Sequence, residues 1–81
     1  MKNILIIDDS ALMRRIISDI INSDEELHSE RTATNGLEAI NMLESGQRFD
    51  CIILDINMPK MNGIEFLKTM NRKGIKQNVI M

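Results

Sequence analysis

Apolar residues along the chain fall into two kinds of run. Ile4-Leu5-Ile6-Ile7 and Cys51-Ile52-Ile53-Leu54 are short, continuous and closed by polar turns. That pattern predicts strands covered on both faces, as in a parallel sheet. Between them Leu12, Met13, Ile16, Ile17, Ile20 and Ile21 recur at helical spacing. They predict a helix over about Ala11–Asn22 with a broad apolar stripe, and Arg14, Arg15, Ser18 and Asp19 on its other side. Ser10 is placed to cap it.

The remaining segments continue the alternation. Ser23-Asp24-Glu25-Glu26 is a polar turn, and Leu27–Ala33 has the length of an edge strand with little apolar content. His28 within it reads better as an exposed edge histidine than as a ligand or base, because no partner lies near it in sequence. Thr34-Asn35-Gly36 is turn chemistry. A helix follows with Leu37, Ile40 and Leu43 on one face and Gly46 at its C-terminal cap. After Asp55–Asn62, a third helix spans about Gly63–Arg72 with Ile64, Leu67 and Met70 as its apolar positions, and Gly74 just past its end. Asn78-Val79-Ile80-Met81 reads as the start of a fourth strand. The order β-α-β-α-β-α-β argues an α/β fold with a parallel sheet and right-handed crossovers.

Composition narrows the picture further. Eighty-one residues allow one small domain, with a hydrophobic share of 43% that is ordinary for a globular chain. A net charge of −2 leaves no electrostatic footprint for nucleic acid or an anionic membrane surface. The apolar runs are far too short to span a bilayer, and the N-terminus lacks the apolar core and cleavage site of a signal peptide. A single cysteine, Cys51, cannot form an internal disulfide. It reads as a small buried hydrophobe, with the cytoplasm as the expected compartment.

The chemistry concentrates at two strand ends. Asp8-Asp9 closes the first strand and Asp55 closes the third. In open parallel sheets, ligands bind outside the carboxyl ends of the strands. If these two strands are neighbours, three carboxylates meet there as a hard-oxygen cluster suited to Mg2+. Their mutual repulsion would be relieved by the cation, leaving one carboxylate to attack a phosphoryl group. Each acidic segment taken singly is equally an ordinary solvated turn, with Ser10 capping a helix. Their coincidence after two buried strands brings the two readings level.

The residues ILIIDDSALMRR, TATNGLEAI and ILDINMPKMNGIEFL resemble the receiver domain of bacterial two-component response regulators. The first, with INSDEEL after the first helix, is most similar to the N-terminal regulatory domain of chemotaxis protein-glutamate methylesterases. The similarity runs from Ile4 to Met81, and an acidic pair with D-x-x-M-P-x-x-x-G is specific. The resemblance implies a flavodoxin-like (CheY-like) doubly wound parallel sheet with strand order 2-1-3-4-5. It implies that Asp55 accepts a phosphoryl group from a histidine kinase. Asp9 would ligate Mg2+ directly, Asp8 through water, and Asn57 through its backbone carbonyl. Met58, Pro59 and Gly63 would shape the pocket loop.

The family also carries a Ser or Thr after the fourth strand and a Lys after the fifth. Neither falls within these 81 residues, and Lys68 and Thr69 do not replace them by motif. The chain is therefore expected to be a truncated receiver, with phosphoryl transfer impaired, ending in or after its fourth strand. The exposed edge there predicts a homo-oligomer, a dimer through Val79–Met81 or by exchanged elements. The domain is not expected to be a turnover enzyme, and no Gly-x-Ser-x-Gly elbow of a methylesterase catalytic domain occurs. The competing reading is an inert receiver fragment acting only as an assembly unit. An aspartate-nucleophile phosphatase ranks lower, since that pattern wants Asp-x-Asp after the first strand. A nucleotide-binding role lacks both glycine-rich loops.

Overall fold

The structure is a computed structural model and describes residues 2–56, 58 and 61–81. Its elements are β1 (Lys2–Ile7), α1 (Ala11–Asn22), β2 (Leu27–Ala33), α2 (Gly36–Glu44), β3 (Cys51–Leu54), α3 (Gly63–Arg72) and β4 (Val79–Ile80). All strands are parallel, in the order β2-β1-β3-β4. The expected neighbours β1 and β3 pair directly, with Ile7 opposite Leu54.

Strand side chains point alternately to the two faces, and here both faces are apolar. Leu5, Ile7, Ile52 and Leu54 join Ala39, Ile40, Leu43, Phe66 and Met70 in the main core under α2 and α3. Ile4 and Ile6 pack with Ile21 of α1 on the opposite face, flanked by Ile17, Leu27, Cys51 and Ile53. Continuous apolar strands are thus the sequence signature of a sheet sandwiched between helices.

The helix boundaries follow from side-chain caps. Ser10 Oγ accepts the Met13 amide at 3.2 Å, Asn35 Oδ1 the Glu38 amide at 2.8 Å, and Asn62 Oδ1 the Glu65 amide at 2.9 Å. Each satisfies an amide that the first helical turn leaves without a backbone partner. Gly46 and Gly74 take positive φ, 99° and 69°, just beyond the caps of α2 and α3. That left-handed conformation favours glycine.

Three expectations about burial need correction. On α2 the inward face is Ala39, Ile40 and Leu43, while Leu37 is 49% exposed. On α3 it is Phe66, Thr69 and Met70, and Ile64 turns outward. Apolar spacing gave each helix a stripe, but the sheet sits a fraction of a turn away from its centre. On α1 only Ile21 is buried, whereas Leu12 and Ile20 are 68% and 65% exposed. The helix lies over β1 and β2 and leaves the same face of β3 and β4 open. This open groove has a volume of about 570 Å³ and is lined by Ile4, Ile21, Cys51, Ile53, Val79 and Ile80. Cys51 is accordingly only half-buried.

Candidate functional site

The three acidic residues converge as the strand order requires. β1 and β3 run in register to Ile7 and Leu54, and the Asp55 amide continues the ladder by donating to the Ile7 carbonyl at 2.9 Å. Asp8 and Asp55 therefore leave the sheet side by side. One carboxylate oxygen from each of Asp8, Asp9 and Asp55 lies within 4.8 Å of the others. Asp9 is exposed, so the cluster opens to solvent. The N-termini of α1 and α3 begin just beyond it, at Ala11 and Gly63, and contribute positive potential at this end of the sheet.

Local hydrogen bonds hold the β1–α1 loop. Asp8 Oδ1 accepts the Ser10 amide at 2.9 Å, and the Asp8 amide donates to the Ala33 carbonyl at 3.1 Å. Arg14, grouped with the solvated side of α1 by its position in the sequence, instead reaches back. Its Nη1 donates to the Asp8 carbonyl at 2.7 Å. Periodicity could not show this, because a long side chain can place its head a full turn from its own Cα.

The loop after β3 is set by close packing. The Gly63 amide donates to the Ile56 carbonyl at 2.9 Å, and a Cβ on Gly63 would stand 3.0 Å from the Asp55 carbonyl oxygen and from the Ile56 Cα. Met58 is buried in the main core and anchors the loop from below. Asn57 and Pro59, expected as a metal ligand and a loop-shaping residue, lie outside the described residues. His28 is an exposed edge residue, 3.6 Å from Glu30 and remote from the cluster.

The donor set fits a small hard cation. Oxygen ligands about 2.0–2.1 Å from Mg2+ in an octahedron stand roughly 2.9 to 4.2 Å apart. Carboxylate oxygens within 4.8 Å of one another approach that spacing.

Residues 4–81 match the family model of the response regulator receiver domain. The chain belongs to this family. The protein-glutamate methylesterase/protein-glutamine glutaminase of Pyrococcus abyssi is 46% identical over 70 residues, covering 86% of this chain and 19% of that protein. The chain thus spans about a fifth of the length of the curated relatives it matches. The crystal structure of the response regulator domain of Thermotoga maritima CheB superposes with a TM-score of 0.87 at 40% identity. It covers all of this receiver and 59% of that chain. CheY6 of R. sphaeroides, solved in complex with the P1 domain of CheA3, superposes with a TM-score of 0.78 at 35% identity, covering 96% of this chain and 60% of that one. The relatives place this chain with receivers of chemotaxis proteins. The aligned part of the methylesterases is their receiver, and their catalytic part lies outside the alignment. No described helix is long and apolar enough to cross a membrane.

Proposed function

We propose that residues 1–81 act as one partial receiver unit of a chemotaxis signalling pathway in the cytoplasm, with Asp55 as phosphoacceptor and a histidine kinase as donor. The observation that carries this reading is the meeting of Asp8, Asp9 and Asp55 at the carboxyl edge of the sheet. An Asp55 oxygen forms a bond to phosphorus as the P–N bond of the donor phosphohistidine breaks, and the imidazole leaves with the electron pair. Asp9 would hold Mg2+ directly and Asp8 through water, with the backbone carbonyl of Asn57, outside the described residues, as the further expected ligand. An ion bound there would supply positive charge against the phosphoryl oxygens and the carboxylates. The solved complex of the similar receiver CheY6 with the P1 domain of CheA3 supports a protein partner as donor.

A Mg2+ titration followed by amide NMR tests the metal site. Saturable shifts at Asp8–Ser10 and Asp55 are expected, and they should be lost in Asp9→Asn and Asp55→Asn. Shifts indifferent to both substitutions would favour the inert assembly reading instead.

We also propose that two copies of the chain pair through the exposed sheet edge at Val79–Met81, or by exchanged elements. The two-residue edge strand β4 adjoins the groove lined by Ile53, Val79 and Ile80, and Ile80 of that strand is 61% exposed. An exposed apolar edge invites pairing with another chain. Light scattering across a concentration series should show a dimer, and a monodisperse monomer at every concentration would refute it.

A further inference from the structure

Three carboxylates drawn together repel one another, so the loop bearing two of them must be held by groups other than those carboxylates' mutual contacts. One hold is local: Asp8 Oδ1 accepts the Ser10 amide. The other crosses from the helix. The Asp8 carbonyl lies past Ile7–Ala33, the last pair of the β1–β2 ladder among the described residues. Arg14 Nη1 donates to it at 2.7 Å, in a partly buried position. We propose that Arg14 is the positioning residue of the acidic site: its guanidinium clamps the Asp8 carbonyl and fixes the Asp8-Asp9 loop in the conformation that receives a divalent cation.

This inference rests on the Mg2+ reading above, and the two roles available to Arg14 predict opposite signs. As a positive charge it repels a cation, so its removal would tighten Mg2+ binding. As a clamp it preorganises the ligands, so its removal weakens binding. Residues that orient metal ligands typically cost 10–100-fold in affinity when lost, whereas the site opens to solvent at Asp9, which partly screens a bound cation from the guanidinium held at the Asp8 carbonyl. The clamp therefore dominates.

The test compares wild type, Arg14→Met and Arg14→Lys, each confirmed folded by thermal melting. Mg2+ affinity is read by calorimetry, and exchange of the Ser10 amide is read by NMR in metal-free protein. Arg14→Met should weaken Mg2+ binding about tenfold and speed Ser10 exchange. Arg14→Lys should recover much of both, since an ammonium can still donate to one carbonyl. Unchanged or tighter Mg2+ binding in Arg14→Met overturns the proposal, as does unchanged Ser10 exchange. Failure of wild type to bind Mg2+ would instead refute the metal site, and the metal-free exchange still decides whether Arg14 holds the loop.

Discussion

Gly63→Ala is a sharp probe of how the fold builds the site. Gly63 does not have positive φ, so its requirement is for space. A methyl group there would meet the Asp55 carbonyl oxygen and the Ile56 Cα at 3.0 Å, with Leu54 Cδ2 at 3.5 Å. The first two are backbone atoms in a segment tied down on both sides, by Asp55 to Ile7 and by Gly63 to Ile56. Neither can rotate away as a side-chain tip would. Overpacking of this kind costs about 1–3 kcal/mol. Alanine's helix preference offsets less than about 1 kcal/mol, and less still at the first helical residue. The net loss is about 1–2 kcal/mol, which for a domain of this size lowers Tm by roughly 4–16 °C. The displaced Asp55 backbone should also weaken Mg2+ binding. Differential scanning calorimetry with and without Mg2+ measures both. A Tm equal to or above wild type would show that the loop yields freely and that the close approach constrains nothing.

Other substitutions probe the remaining supports. Phe66 is fully buried in the main core, so Phe66→Ala should cost about 3–5 kcal/mol and leave so small a domain largely unfolded by circular dichroism at 25 °C. Asn62→Ala removes the cap of α3 at 2.9 Å and should cost about 1 kcal/mol in denaturant titrations, with Asn62→Asp retaining most of it. Ile80→Lys, at the 61% exposed position of the edge strand β4, should change stability by less than about 0.5 kcal/mol while abolishing concentration-dependent association in light scattering.

Much of this architecture was legible because it is local. Strand runs such as Ile4–Ile7 and Cys51–Leu54 needed only continuity, and the cap at Ser10 only its position before an apolar-periodic segment. The pairing of β1 with β3 came from the family resemblance, and with it the meeting of the three aspartates. Burial was less legible because it depends on what packs opposite. Phe66 and Ile64 are both apolar and two residues apart, and only the placement of the sheet decides that the first is inside. The α1 stripe is apolar from Leu12 to Ile21, yet the described residues cover only one end and one edge of it. Arg14 and Asn62 were missed for a related reason: their roles lie in single hydrogen bonds to loops, which leave no periodic trace.

The proposed function stands on Asp55 accepting a phosphoryl group at a cation-supported site. Intact-protein mass spectrometry after incubation with acetyl phosphate, with and without Mg2+, tests it most directly. A gain of one phosphoryl group that requires Mg2+ and is lost in Asp55→Asn is expected. No gain by a chain shown to be folded, or a gain that persists in Asp55→Asn, would contradict it.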